Sequence, residues 1–165
     1  MDYVYHASEI SGLTKLEPRV STHGESWVYA MEKSEYALMF LGNHSDLINQ
    51  IGFVDGVAQI VERFPGALEY GYKDVVGSVY KLDAKDFKAG MTSFNAELVC
   101  DHVCAVQEEI EIQNALERIL ELESDGRIII YRYPSLPAWM PNDKSDLIEK
   151  VVRWAQKPGS TILKR

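Results

Sequence analysis

Two cysteines and a histidine alternate in Cys100-Asp101-His102-Val103-Cys104, the densest group of soft metal ligands in the chain. On a straight strand they share one face, spaced about 6.6 Å per step. His102 and one thiolate could then reach a common ion, but the other thiolate could not. No CxxC or HxxxH supplies the missing ligands, so no metal is expected. The same spacing sets the thiols roughly 13 Å apart, beyond disulfide reach, and both are expected to be free. A cysteine nucleophile would need His102 to reach along the strand and lower its pKa. Glu108, Glu109, Glu111, Glu117, Glu121 and Glu123 read as the solvated face of a strand and a helix rather than a hard-metal site. There is no GxSxG elbow, GxxxxGKS/T loop or GxGxxG fingerprint, so hydrolase-elbow, P-loop and dinucleotide-fold readings lose their main warrant.

The elements that must position any chemistry follow from local pattern. Tyr3-Val4-Tyr5-His6 and Trp27-Val28-Tyr29-Ala30 read as strands, separated by a turn-rich stretch from Ser11-Gly12 through Pro18 to His23-Gly24. A helix follows, with Tyr36, Phe40 and Leu41 on one face and Gly42-Asn43 as its stop. Val57 to Phe64 and Ala67 to Tyr72, broken by Pro65-Gly66, read as a hairpin. Ser78 to Leu82 and Leu98 to Val106 read as strands, and Ile112 to Leu122 as an amphipathic helix ended by Asp125-Gly126. The isoleucines within Arg127 to Tyr133 predict a strand buried on both faces. After a Pro-punctuated loop from Pro134 to Pro141, a last helix capped by Ser145 or Asp143 carries Leu147, Ile148, Val151, Val152 and Trp154. This irregular order predicts α+β, with a mixed, mainly antiparallel split sheet and flanking helices.

At 165 residues, 46% hydrophobic and 25% charged, the chain suits one domain spanning 1–165. Its net charge of −8 opposes bulk nucleic-acid or anionic-membrane binding. No apolar run approaches a membrane span, and no signal peptide is visible at Met1-Asp2-Tyr3-Val4-Tyr5-His6. With reduced thiols, a cytoplasmic location is expected.

Tyr5-His6-Ala7-Ser8 at the end of the first strand, Val28-Tyr29-Ala30 on the second, and Glu97 opening a later strand occur in an order that resembles the His-Tyr-Glu motifs of ADP-ribosyltransferase-fold proteins of the diphtheria-toxin and poly(ADP-ribose) polymerase type. Lys33-Ser34 and Ala37 resemble that class's small-residue helix, and the likeness spans about the first 120 residues. The order also looks like that of small uncharacterised bacterial and phage proteins. The resemblance implies NAD as substrate and transfer of ADP-ribose to a protein or nucleic-acid acceptor. It implies catalytic roles for Glu97, His6 and Tyr29: Glu97 stabilises the oxocarbenium-like transition state and His6 binds the adenosine-side ribose. Tyr29, with Tyr36 or Phe40, offers an aromatic face to nicotinamide. Ser8, Ser34, Tyr36, Phe40 and Arg19 are the expected cofactor-binding residues, with Ser34 on the carboxamide and Arg19 and Lys15 near the pyrophosphate. Ala7 stands where the family usually has Gly. Asn95 stands two residues before Glu97, where arginine-specific members carry Glu or Gln, so arginine is not the expected acceptor. Alternative readings are an RNA 2′-phosphotransferase-like enzyme, using Arg19 and His23, and a non-enzymatic binding protein using the Pro134 to Pro141 loop as its contact surface.

Overall fold

The aromatic run at the N-terminus forms β1 (Tyr3–Ser8) and, after the short strands β2 (Lys15–Leu16) and β3 (Arg19–Val20), the second aromatic run forms β4 (Ser26–Met31). The structure, a computed structural model, describes residues 1–20, 25–42 and 45–156; the expected loop residues His23 and Gly24 and the helix stop at Asn43 lie outside them. The chain continues as α1 (Ser34–Leu38), β5 (Asn49–Val54), β6 (Val57–Glu62), α2 (Ala67–Tyr72), β7 (Gly77–Asp83), β8 (Lys88–Ala89) and β9 (Glu97–Cys100). It ends in β10 (Cys104–Ile112), α3 (Ala115–Ser124), β11 (Ile128–Tyr131) and α4 (Ser145–Ala155). The fold is α+β. No helix among the described residues is long and apolar enough to cross a membrane.

The main sheet has the order β2-β10-β7-β1-β4-β9-β8, with β3 added to β4, and its pairs are antiparallel. A smaller sheet, β11-β6-β5, contains the parallel pair β6/β11. Side-chain alternation gives the main sheet two apolar faces. One carries Val4, Val28, Ala30, Tyr80 and Leu82. The other, with Met31, Val79 and Ile112, packs against α1, α3 and the small sheet through Leu38, Ile119 and Ile60. Tyr72, buried in that second core, donates its hydroxyl proton to the Met39 carbonyl at 2.6 Å, and burial pushes its phenol pKa well up.

Several sequence-based expectations change. Residues 57–72 are not a hairpin. β6 pairs instead with β5 across Asp55-Gly56, both at positive φ, the backbone a tight hairpin turn requires. Asn49, Gln50 and Gly52 hide β5 from a reading based on apolar alternation. Beyond Pro65-Gly66 the chain enters α2, because the Glu62 carboxylate accepts the Leu68 backbone N–H at 2.9 Å and satisfies one of the helix's free donors. β11, an edge strand of the small sheet, buries Ile128 and Ile130 but exposes Ile129, so one of its faces is covered and the other is not. α3 starts three residues later than expected, at Ala115, where the Asn114 side chain accepts from Glu117 N–H at 3.1 Å. Glu109 is more than a solvated charge. It accepts from Ser78 Oγ at 2.6 Å, Gly12 N–H at 2.9 Å and Tyr80 O–H at 3.0 Å, and these bonds hold its carboxyl below the usual range.

The strand expected over Leu98 to Val106 breaks at Asp101 to Val103 into a turn joining β9 and β10. The turn removes the linear spacing on which the three potential ligands were kept apart. Cys100 Sγ lies 3.5 Å from His102 Nδ1 and 3.6 Å from Nε2. The Cys104 thiol is pushed up to about 12, by burial first and then by its hydrogen bond with Cys100. Both thiols are free.

Candidate functional site

β1 and β7 pair along six positions, whereas β1 and β4 pair at one, Tyr5 with Met31. One residue further along β1, the His6 imidazole takes over: Nδ1 lies 2.7 Å from the Tyr29 carbonyl oxygen. A carbonyl only accepts, so Nδ1 carries the proton and Nε2 is the acceptor of the neutral ring. His6 is held below its ordinary pKa by burial first, with the Arg19 charge adding to the effect against the opposing pull of the Tyr29 carbonyl. On the far side of β4, β9 pairs so that Met31 faces Glu97 and Tyr29 faces Val99.

This register carries residues from β1, β4 and β9 into one cleft of about 1060 Å³, lined by His6, Tyr29 and Glu97 among others. Glu97 is half-buried, and its Oε2 atom is shielded from solvent. Phe40 and Phe94 also line the cleft, their rings edge to face at 5.8 Å. Behind them Phe53 lies 5.5 Å from Phe94 and 4.7 Å from Tyr36. Tyr36 therefore supports the aromatic wall without lining the cleft. Its hydroxyl donates to the Gly56 carbonyl, and Lys33 Nζ sits 5.0 Å from its ring centroid.

The other residues expected to contact a cofactor stand elsewhere. Ser34 Oγ is engaged by the Glu35 carboxylate at 3.3 Å. Ser8 Oγ accepts the Ile10 backbone N–H at 3.1 Å. Arg19 lies on β3 opposite Trp27, and Lys15 pairs with Glu17 at 2.7 Å. None of these four lines the cleft.

Another part of the lining comes from residues the sequence reading did not single out for function. Asn49, Lys150 and Arg153 form it, with Trp154 from the last helix. Asn49 is buried, and its Nδ2 donates to the Ala67 carbonyl at 2.8 Å. That bond fixes the amide orientation, and Oδ1 has no hydrogen-bond partner among the described residues. Lys150 pairs with Asp46 and donates to Gln50 Oε1 at 3.1 Å. Arg153 is exposed. Lys150 and Arg153 stand at i, i+3, adjacent on one helix face. That spacing is the available sequence signal for a cationic wall, but the sequence reading of the last helix rests on its apolar residues alone. α4 in fact has no buried residue. Polar contacts hold it, including Arg63 Nη2 to Asp146 Oδ2 at 2.6 Å.

The cleft thus brings together a carboxylate with one shielded oxygen, a neutral imidazole, an aromatic wall, an amide oxygen without a partner among the described residues and two cationic side chains. No family model matches the chain, and no curated protein or solved structure matches it.

Proposed function

We propose that the protein is an NAD-using transferase of the ADP-ribosyl class, acting on a macromolecular acceptor. The observation that carries this reading is that His6, Tyr29 and Glu97, far apart in sequence, line the same cleft. The chemistry follows from the group each offers. The bond between nicotinamide N1 and ribose C1′ breaks with its electron pair passing to the pyridinium nitrogen, releasing neutral nicotinamide. Positive charge develops on the ribose, and the Glu97 carboxylate stabilises it from a shielded position where solvent screening is weak. The acceptor nucleophile forms a bond to C1′ and gives up its proton, to Glu97 or to water. His6 Nε2 accepts a ribose hydroxyl. Tyr29 and Phe40 flank nicotinamide, worth about 0.5–1.5 kcal/mol beyond burial. Asn49 Oδ1 accepts from the carboxamide, the role first expected of Ser34. Lys150 and Arg153 face the pyrophosphate, the role first expected of Arg19 and Lys15.

The Pro134 to Pro141 loop gives mixed support to the alternative of a binding protein that uses it as a contact surface: Trp139 and Leu136 are exposed, but the cleft beside the site residues is open rather than collapsed. Met140 is buried, and Trp139 Nε1 donates to Gln59 Oε1 at 2.7 Å, so part of the loop is engaged with its own chain. Calorimetry with NAD, together with nicotinamide release, tests the proposal. Wild type is expected to bind saturably and release nicotinamide. Glu97→Gln should still bind but turn over about 100–1000-fold more slowly. Absence of NAD binding, or equal turnover in both proteins, would sink it. Turnover of a 2′-phosphorylated RNA with NAD, but not of NAD without RNA, would transfer the cleft to the phosphotransferase alternative.

A further inference from the structure

Lys150, Arg153 and Trp154 of α4 line the cleft, yet no residue of that helix is buried. Asp146, Lys150 and Trp154 follow one another at i, i+4 spacing and so share one helix face. Ion pairs hold that face to the rest of the molecule. Arg63, whose side chain is 7% exposed, is the fixed partner. Its Nε donates to the Asp46 carbonyl at 3.0 Å, and its Nη2 donates to Gln50 Oε1 at 3.0 Å and to Asp146 Oδ2 at 2.6 Å. Lys150 reaches the same segment, pairing with Asp46 and donating to Gln50 Oε1 at 3.1 Å.

Two features leave this attachment poised to release. Asp146 Oδ1 is shielded from solvent and has no hydrogen-bond partner among the described residues. The docked helix therefore carries the desolvation cost of one carboxylate oxygen, and lifting the helix returns that oxygen to water. The chain before α4 also has the form of a hinge. Met140 is buried, and the Trp139 ring lies against Gly52, so the near side is fixed. Residues 141–144 are exposed, and Lys144 takes a φ of 61°, in the left-handed region that a residue with a Cβ enters at a cost. No side chain of α4 belongs to either apolar core, so lifting about this hinge leaves both intact.

We propose that α4 is a hinged flap of the cleft, latched by the Arg63–Asp146 and Lys150–Asp46 pairs and lifted to admit an anionic ligand. Lifting withdraws Lys150, Arg153 and Trp154 from the lining and widens the cleft. Closing on a ligand phosphate gives Lys150 a second anion besides Asp46 and draws Arg153, exposed in the free protein, to the same charge. The opening needs no ligand, whereas the ligand's class, a nucleotide pyrophosphate, rests on the transferase reading.

Hydrogen exchange of the full chain, read by mass spectrometry, tests the flap with α3 as internal standard. The α4 amides should exchange about tenfold or more faster than those of α3, at rates uniform along the helix, as a single opening unit does. Asp146→Asn removes the charge from the less exposed latch and should speed α4 by about 3–10-fold while leaving α3 unchanged. Raised ionic strength should act in the same direction through the more exposed Lys150–Asp46 pair. Inorganic pyrophosphate and NAD should each slow α4 in wild type, and less so in Lys150→Gln. Slowing by pyrophosphate without NAD binding would uphold the flap and count against the transferase reading alone. Three results would each overturn the flap: α4 exchange as slow as that of α3, a gradient rising toward Ala155 that Asp146→Asn does not move, or α4 rates that neither anion alters.

Discussion

His6 shows how much one side chain can inherit from its position. Its ring bonds a backbone carbonyl at the place where the β1/β4 ladder has stopped, and burial keeps it neutral. Its folded-state pKa lies below the ordinary 6.5, so in the interval between the two the unfolded chain binds more protons. Stability present above pH 6.5 is therefore lost as pH falls through that interval toward the lowered value. Urea unfolding midpoints at a neutral and a mildly acidic pH should show this loss in wild type and a smaller one in His6→Gln. Carboxylates such as Glu109 and Glu123, whose folded pKa values are also lowered, lose their contribution at more acidic pH. The His102 contribution is common to both proteins and cancels in the comparison. Equal pH dependence in the two would refute a buried, neutral His6.

At the scale of elements, buried acceptors connect the small sheet to what surrounds it. Glu62 ends β6 inside the protein and accepts from Leu68 N–H and, at 3.0 Å, from Tyr133 N–H. It ties α2 to the segment after β11. Glu62→Ala strands both donors, and a loss of about 2–4 kcal/mol in chemical denaturation is expected. Gly52 is a second contact of this kind. A Cβ there would lie 2.5 Å from the Trp139 ring, so β5 needs glycine for close approach rather than for backbone freedom. Gly52→Ala should push Trp139 off the sheet, break its bond to Gln59, and cost about 1–3 kcal/mol. A red shift in tryptophan emission would report the displacement, and an unchanged spectrum with unchanged stability would contradict it.

At the scale of the whole molecule, the net charge of −8 sets an unfavourable field for any anionic ligand, and the cleft answers it locally. Lys150 is already paired with Asp46, while Arg153 has no ion pair among the described residues. Arg153→Ala should therefore weaken NAD binding about 3–10-fold at low salt, with the difference shrinking as ionic strength rises. Because Arg153 is exposed, thermal stability should not change. Calorimetry at two salt concentrations separates this from a folding effect, and equal affinity in wild type and variant would remove Arg153 from the site.

The sequence alone determined the α+β class, the two aromatic strands, β7 and the amphipathic α3, because apolar period and turn residues act over a few neighbours and survive whatever packs around them. It also singled out His6, Tyr29 and Glu97, through an order of motifs rather than through any spacing law. Tertiary structure alone decided what stands beside them. Strand register across β1, β4 and β9 brings the three to one cleft, and register depends on pairing between residues distant in the chain. The same holds for the wall contributed by Asn49, Lys150 and Arg153. Cys100 and His102 make the physical reason plain: alternate side chains stand apart on a straight strand and meet around a turn, and Asp101 to Val103 offers too weak a local signal to tell the two apart.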